Sequence, residues 1–213
     1  MPGPHLGRLD PSGRPAGLVL MLHGGQPDSF DPVDGRSTSW LRSRWMQSQL
    51  AGPARAHGVG LWLLRYQHRG WNAASGPHPS PVPDARWALD EARRELGELP
   101  VVLLGHSMGA RTAAAVADDP LVTGVVALAP WFPPDEPVRP LAGKRLAAAH
   151  GRSDKITSFA ATEDFVRRAA SVAATTELTD MGAVGHYMLR RVGAWNDFAR
   201  SRSLTFLREH AGR

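Results

Sequence analysis

The stretch Gly105-His106-Ser107-Met108-Gly109 decides the fold and the first functional hypothesis for this chain. It directly follows an apolar run at 101–104 and precedes an alanine-rich stretch at 110–118 that favours a helix. A serine between two glycines, at a turn from a buried strand into a helix, is the G-x-S-x-G nucleophile-elbow pattern. The glycines let strand and helix pass close together, and the N–H of Met108 then lies at a helix N-terminus, where it can stabilise an oxyanion. The sequence therefore predicts that Ser107 is a nucleophile.

The composition indicates one globular domain without thiol chemistry. A chain of 213 residues is long enough for one α/β domain, and we predict a single domain over residues 1–213. Residues 1–17 are rich in proline and glycine and predict an irregular N-terminal arm or a vestigial edge strand. The absence of cysteine excludes disulfides, thiolate nucleophiles and thiolate metal sites.

Charge and hydropathy limit the kinds of partner that the protein is expected to have. The net charge is +5, but the arginines are spread along the chain, which favours a solvated basic surface and no nucleic-acid partner. No apolar run approaches the roughly 18 residues of a membrane span, and the N-terminus has no apolar signal-peptide core. We therefore expect a cytoplasmic protein with no membrane partner. The histidines stand in no metal-ligand frame and no phosphate-binding glycine motif is present, so no metal and no cofactor are predicted.

Strand and helix patterns alternate along the chain. Continuous apolar runs predict buried strands, and apolar residues at helical spacing predict helices. The predicted strands are 18–22, 59–64, 101–104, 121–128, 145–150 and 175–179, and the predicted helices are 39–57, 83–96, 110–118, 158–170 and 192–208. Asp84 is predicted to cap the helix at 83–96. This alternation predicts an α/β fold, with a mostly parallel central sheet and helices on both faces.

A nucleophilic serine needs a base, and the base needs an acid to orient it. In sheets of this kind these groups lie on loops after later strands, in the chain order serine, acid, histidine. Asp154 and His186 each follow a predicted strand in that order, which makes them the candidates for acid and base. Asp135 and Glu136, just past the preceding strand, are the alternative positions for the acid.

The motifs together resemble the α/β-hydrolase superfamily, and in particular its small capless serine esterases and dienelactone-hydrolase-like enzymes. The matching motifs are His23-Gly24-Gly25, Gly105-His106-Ser107-Met108-Gly109, Gly151-Arg152-Ser153-Asp154 and Gly185-His186. The resemblance covers roughly residues 18–210. It implies Ser107 as nucleophile, His186 as general acid/base and Asp154 as the acid that orients His186.

The resemblance also implies an oxyanion hole made of backbone N–H groups. Its donors would be Met108 and Gly25, with Gln26 in place of Gly25 if the loop is shifted by one residue. A plain turn glycine is the alternative interpretation of Gly25.

The predicted pocket is open and walled by loops. Family members often insert a helical cap at the position of 130–144, but this span is short and proline-rich here. Aromatic side chains on the surrounding loops are expected to meet an apolar acyl or aromatic group, with packing inside their own loops as the alternative. The side chains concerned are Trp71, Trp131, Phe132 and Tyr187. Arg69 and Arg139 can meet an anionic substrate group only if the fold turns them inward.

These observations predict a cofactor-independent serine hydrolase that cleaves a small-molecule carboxylic ester or thioester through an acyl-enzyme. Within the same chemistry, an acyltransferase, thioesterase or cyclase of natural-product biosynthesis is the alternative. A non-catalytic binding protein is the second class, because a fold does not fix a function.

Overall fold

The computed structural model describes residues 3–74 and 76–211. Its strands are β1 (His5–Leu9), β2 (Gly17–Leu22), β3 (Val59–Arg65), β4 (Val101–His106), β5 (Val122–Leu128), β6 (Arg145–His150) and β7 (Thr175–Asp180). Its helices are α1 (Thr38–Ala56), α2 (Pro81–Leu96), α3 (Met108–Ala115), α4 (Phe159–Ala169) and α5 (Val192–Ala211). No helix within this described part is both long and apolar enough to cross a membrane.

The strands form one sheet in the order β1-β3-β2-β4-β5-β6-β7, in which only β1 runs antiparallel to its neighbour. Every residue of β2, β4, β5 and β6 is buried, because their apolar side chains face helices on both sides. Helices α1 and α5 pack together on one face, and α2 and α3 pack together on the other. The predicted fold class is confirmed.

The N-terminal segment contains an edge strand. Strand β1 pairs with β3, and Leu6, only 7% exposed, lies opposite Leu64. The expectation of an irregular arm is therefore wrong for His5–Leu9, and its alternative, an edge strand, is what forms. Main-chain pairing with β3, the buried leucine and a hydrogen bond from Gln47 to the Gly7 carbonyl hold this strand. Met1 and Pro2 lie outside the described residues.

Helix α2 begins two residues earlier than predicted, and Asp84 does not cap it. Ser80 occupies the cap position. The carboxylate of Asp84 instead accepts a hydrogen bond from the N–H of Gln67, at 2.8 Å. Burial raises the pKa of Asp84. This side chain therefore ties the loop after β3 to α2.

The carboxyl ends of the parallel strands meet at one edge of the sheet, and the motif residues gather there. Gly24 and Gly25 follow β2, Ser107 follows β4, and Asp154 and His186 follow β6 and β7. Between β5 and β6 the chain forms only loop and the three-residue 3-10 turn Arg139–Leu141. Residues 129–144 are all described, so no helical cap covers this edge at the position where one was considered.

Candidate active site

Ser107 lies at a strained turn between β4 and α3. Its φ of 55° and ψ of −118° are sparsely populated for a residue with a side chain. The turn is held by the Ser107 N–H, which donates to the Leu128 carbonyl at 3.0 Å, and by the Ser107 carbonyl, which accepts from Ala110 N–H at 3.1 Å. A Cβ at Gly109 would lie 2.1 Å from the Leu22 carbonyl oxygen, so only glycine lets α3 approach β2 this closely.

Ser107, His186 and Asp154 form one hydrogen-bonded chain. The Ser107 Oγ lies 2.9 Å from Nε2 of His186, and Nδ1 of His186 lies 2.8 Å from Oδ2 of Asp154. Ser107 and His186 are 7% and 6% exposed. With Nδ1–H donating to the carboxylate, Nε2 carries the lone pair that can accept the serine proton.

The Asp154 carboxylate is held by a full set of donors. Its Oδ1 accepts from the N–H groups of Ile156 and Thr157 at 2.8 and 2.9 Å. Its Oδ2 accepts from the Thr157 hydroxyl at 2.9 Å and lies 3.1 Å from Nε2 of His150. Burial opposes ionisation, but the hydrogen bonds from His150, His186 and the two N–H groups outweigh it and hold the pKa of Asp154 well below its usual range. The carboxylate is therefore ionised and fixed toward His186.

The alternative acids lie elsewhere. The Glu136 carboxylate is paired with the guanidinium of Arg111 and is 5% exposed. Burial raises the pKa of Glu136 even against the attraction of Arg111. Asp135 lines a different cavity. In the described part of the chain neither carboxylate is hydrogen-bonded to His186, so the geometry favours Asp154.

Two backbone N–H groups beside Ser107 are free. Those of Gly25 and Met108 donate to no acceptor among the described residues, whereas the N–H of Gln26 donates to the Arg69 carbonyl at 2.9 Å. A Cβ at Gly25 would lie 2.3 Å from the Arg69 carbonyl oxygen and 2.4 Å from Cε of Met108. Gly25 and Met108 are therefore in contact, and the geometry favours Gly25 over Gln26 as the second oxyanion donor.

His23 fixes the orientation of the peptide that carries the Gly25 N–H. It is fully buried, its Nδ1–H donates to the Gly24 carbonyl at 2.6 Å, and its Nε2 accepts from the Tyr66 N–H at 3.3 Å. A trans peptide points its C=O and N–H in opposite directions, so holding the Gly24 oxygen sets the direction of the Gly25 N–H. Burial lowers the pKa of His23 to about 4, which keeps the ring neutral as this pairing requires.

His106 supports the segment that carries His186. Its Nε2–H donates to the main-chain carbonyl of His186 at 3.1 Å, and the two ring centroids are 5.0 Å apart. Burial, aided by repulsion from His186, lowers the pKa of His106 to about 3. The ring of His106 is therefore neutral, and its hydrogen bond fixes the main chain at His186.

Ser107 opens into a cavity of about 230 Å³. Its wall combines the loop after β2, the first turns of α1 and the residues around His186, with Gly25, Ser39, Arg42, Arg69, Ile156 and Tyr187 among its members. A larger cavity of about 590 Å³ lies beside α2 and α3 and includes neither Ser107 nor His186. We take the smaller cavity as the candidate site because it contains the hydrogen-bonded hydroxyl.

The structure brings one of the four predicted aromatic residues to this cavity. Tyr187, 59% exposed, stands at its rim. Trp71 lines the larger cavity, and the ring of Trp131 packs edge-on against the ring of Trp71. The guanidinium of Arg111 lies over both rings. Phe132 is 3% exposed and stacks on Phe165 at 3.8 Å between ring centroids. The prediction of an aromatic wall is therefore wrong for Trp71, Trp131 and Phe132, whose rings pack against each other or against α3 and α4 and do not line the Ser107 cavity.

Arginine side chains give the cavity wall its charge. Arg69 lines it, as considered from the sequence, whereas Arg139 lies in the 3-10 turn outside it. Arg42 also lines it and was missed. The helical spacing between Ser39 and Arg42 could have indicated this position, because it places both residues on the same face of α1. Both residues line the cavity. Within the described residues no group of three His, Asp or Glu side chains could hold a metal ion.

Comparison with known proteins identifies the family. The model of the alpha/beta hydrolase family matches residues 19–210, and the chain belongs to this family. The resemblance inferred from the four motifs is confirmed. Among curated proteins no significant match is found.

Solved structures with the same fold are similar over nearly the whole chain. An alpha-beta serine hydrolase homologue from Coxiella burnetii has a TM-score of 0.69 and 16% identity, covering 95% of this chain and 94% of that chain. XC6422 from Xanthomonas campestris, a serine hydrolase without a lid, has a TM-score of 0.68 and 16% identity, covering 96% and 89%. Propionate-bound esterase Est2 from Thermogutta terrifontis has a TM-score of 0.70 and 17% identity, covering 97% and 89%. At these identities the likeness establishes the fold alone.

Proposed function

We propose that this protein is a serine hydrolase that cleaves a carboxylic ester or thioester through an acyl-enzyme. The hydrogen-bonded chain from Ser107 through His186 to Asp154 carries this proposal, above all the 2.9 Å between Oγ and Nε2. An unactivated serine is a poor nucleophile, and this contact supplies the base that it needs.

Acylation uses each of these groups once. His186 Nε2 accepts the hydroxyl proton while Oγ of Ser107 attacks the carbonyl carbon of the substrate. Asp154, ionised and hydrogen-bonded to Nδ1–H, stabilises the imidazolium that forms. The N–H groups of Gly25 and Met108 donate to the oxyanion of the tetrahedral intermediate. The proton on Nε2 then passes to the leaving alkoxide or thiolate, which departs as the alcohol or thiol.

Deacylation repeats the sequence with water as nucleophile. His186 removes a proton from a water molecule, whose oxygen attacks the acyl carbon, and the second tetrahedral intermediate collapses with return of the proton to Ser107. An alcohol, thiol or amine in place of water would give acyl transfer by the same steps. The open cavity favours hydrolysis, because no cap between β5 and β6 excludes bulk water.

Named relatives support an ester as substrate. XC6422 is a serine hydrolase without a lid, and Est2 is an esterase with propionate bound. A short acyl group of that kind fits a cavity of about 230 Å³.

Labelling with a fluorophosphonate probe, followed by assays with 4-nitrophenyl esters and acyl thioesters, tests this function. We expect the probe to label the wild type and Ser171→Ala, an exposed-serine control, but not Ser107→Ala. Ser107→Ala should also lower kcat by about 10⁴-fold or more while leaving the circular dichroism spectrum unchanged. Labelling of Ser107→Ala, or more than a tenth of wild-type turnover in that variant, would overturn the mechanism. A wild type that neither reacts with the probe nor hydrolyses an ester would indicate a binding protein.

A further inference from the structure

We propose that the Ser107 cavity selects esters bearing a carboxylate or similar anionic group on the acyl or alcohol part, with Arg42 as the selecting residue. This selectivity rests on the ester or thioester hydrolysis proposed above and names its substrate class. Two guanidinium groups, Arg42 and Arg69, line the cavity, and its described wall contains no carboxylate. A small space with charges of one sign concentrates ligands of the opposite sign.

No ion pair neutralises the charge of Arg42 within the described residues, although its guanidinium lies over the Trp45 ring, 4.7 Å from the ring centroid. Its Nε and Nη2 donate to the main-chain carbonyls of Tyr187 and Met188, at 3.2 and 3.3 Å. Its Nη1 is buried without a hydrogen-bond partner, and no carboxylate of a described residue pairs with it. Arg69, by contrast, is paired with Asp34 at 3.1 Å. Of the two arginines, Arg42 is therefore the one whose positive charge remains available to a substrate.

The position of Arg42 places that charge in the same cavity as Ser107 and His186. The two carbonyls that hold its guanidinium belong to the residues directly after His186. The first turn of α1, one turn before Arg42, also lines the cavity and contains no acidic residue. The partial positive charge of this helix end therefore adds to the guanidinium charge. Desolvation lowers the pKa of Arg42, but a guanidinium stays protonated at any pH at which the enzyme folds.

Partial burial decides how strongly this charge acts. An exposed charge pair is worth little in water, but its Coulomb energy increases severalfold where the effective dielectric constant is lower. Arg42 is partly buried, and apart from Ile156 and Tyr187 the side chains that line the cavity are small or polar. We therefore expect an anionic group to raise kcat/KM by about tenfold over its neutral equivalent, which corresponds to about 1.4 kcal/mol.

Two substrate pairs test this preference, and each pair differs only by a methyl ester. The first pair is 4-nitrophenyl hydrogen adipate and 4-nitrophenyl methyl adipate, with the charge on the acyl part. The second is 4-acetoxybenzoate and methyl 4-acetoxybenzoate, with the charge on the leaving group. Each kcat/KM is divided by the rate constant of hydroxide hydrolysis, which removes differences in intrinsic reactivity. The wild-type ratio of anionic to neutral substrate should reach about ten in at least one pair and fall as salt is added.

Variants of two neighbouring arginines assign the effect to one residue. Arg42→Gln should bring the ratio close to one, and Arg42→Lys, which keeps the charge, should retain most of it. Arg44→Gln is the matched control, because it removes the same charge from an exposed position of α1 that lies outside the cavity. A general loss of activity, for example from loosening of residues 187–188, cancels in the ratio. The wild-type ratio and its salt dependence need no variant and therefore remain decisive if Arg42→Gln does not fold.

Each result has one meaning. A wild-type ratio of one or less in both pairs, or an unchanged ratio in folded Arg42→Gln, would refute anionic selection. If the enzyme hydrolyses the methyl esters at least as well as the anionic substrates, the proposed selectivity is wrong, but the proposed ester hydrolysis is supported. If the wild type hydrolyses neither member of either pair and does not react with the fluorophosphonate probe, the proposed function fails and the selectivity fails with it.

Discussion

At the residue scale, the contact between Asp154 and His186 sets the tautomer of the imidazole ring. Its Oδ2 lies 2.8 Å from Nδ1 of that ring, and its other hydrogen bonds prevent the carboxylate from rotating away. An ionised carboxylate accepts only, so Nδ1 must carry the proton and Nε2 must face the serine as the base.

Replacing Asp154 by asparagine should therefore lower kcat by about 10⁴-fold. The amide can donate to Nδ1, which would place the imidazole proton on Nε2 and remove the base. Steady-state kinetics with a 4-nitrophenyl ester that the wild type hydrolyses measure this loss. Asp135→Asn is the control and should change kcat less than twofold, since Asp135 lies on the larger cavity. The reverse ranking of the two variants would transfer the role of the acid to the loop after β5.

The site residues that the sequence predicts are those whose position depends mainly on the backbone. Ser107, Asp154 and His186 were predicted because each follows a strand, and parallel strands end at one edge of the sheet. His150 and Arg42 were not predicted to reach the site, since their roles depend on side-chain direction. His150 ends β6, and only the structure shows that its Nε2 lies 3.1 Å from the Asp154 carboxylate.

At the element scale, two loops bring unpaired backbone N–H groups of the described residues to the Ser107 hydroxyl, where we propose that the substrate carbonyl binds. The elbow brings the N–H of Met108, and the loop after β2 brings that of Gly25. Close packing fixes their separation, because a Cβ on Gly25 would overlap the Arg69 carbonyl and the Met108 side chain.

Gly25→Ala should consequently lower kcat by about 10²- to 10³-fold, the usual cost of losing one oxyanion donor. The added methyl group would lie 2.3 Å from a backbone oxygen, so the loop must move and carry its N–H out of place. Gly35→Ala is a matched control later in the same loop, where a Cβ meets nothing within 4 Å. Comparing kcat and KM between the two variants tests the assignment. An undiminished kcat in Gly25→Ala would remove this residue from the oxyanion hole.

The accuracy with which the sequence predicts an element depends on how regular its hydrophobic pattern is. The apolar runs of β2 to β6 located their strands to within a residue or two, because burial on both faces leaves an uninterrupted hydrophobic signal. Strand β1 has no such run, and its order depends on pairing with β3, which local composition does not encode. The prediction of an aromatic wall was wrong because it also depended on contacts between distant parts of the chain. The sequence places Phe132 on a loop but does not show that its ring stacks on Phe165.

At the scale of the whole molecule, two buried neutral histidines couple stability to pH. Burial lowers the pKa of His23 to about 4 and of His106 to about 3, against 6.5 for an exposed histidine. Between pH 6.5 and 4 the unfolded chain therefore binds protons that the folded chain excludes, and stability falls as the pH falls. Asp84 and Glu136, whose pKa values are raised by burial, oppose this trend at its acidic end.

His106→Gln should flatten this dependence. Each such histidine contributes about 1.4 kcal/mol of unfolding free energy per pH unit in this window, and the glutamine amide can still donate to the His186 carbonyl. Urea denaturation at pH 7, 6, 5 and 4.5 measures the slope. The exposed His78→Gln serves as control and should keep the wild-type slope. Equal slopes in His106→Gln and the wild type would mean that His106 titrates normally in the folded protein.

In the proposed hydrolysis, the size of the Ser107 cavity limits which acyl groups fit. Pockets for drug-sized ligands measure about 300–1,000 Å³, and the Ser107 cavity, at about 230 Å³, is smaller. The larger cavity of about 590 Å³ does not include Ser107. Each methylene left in water forgoes about 0.8 kcal/mol of binding free energy.

Short and medium acyl chains should accordingly be preferred, with no activation at an interface. Lidded lipases gain activity when a lipid surface opens the lid, and here the connection from β5 to β6 holds only loop and a three-residue turn. Measuring kcat/KM for a series of nitrophenyl esters from acetyl to palmitoyl, below and above the critical micelle concentration, checks both expectations. We expect a maximum at the short end, a decline toward palmitoyl and no rise on passing into micelles. A palmitoyl preference or a jump in rate at the micelle transition would require the loops beside Gly25 and Arg69 to form a cover over bound substrate.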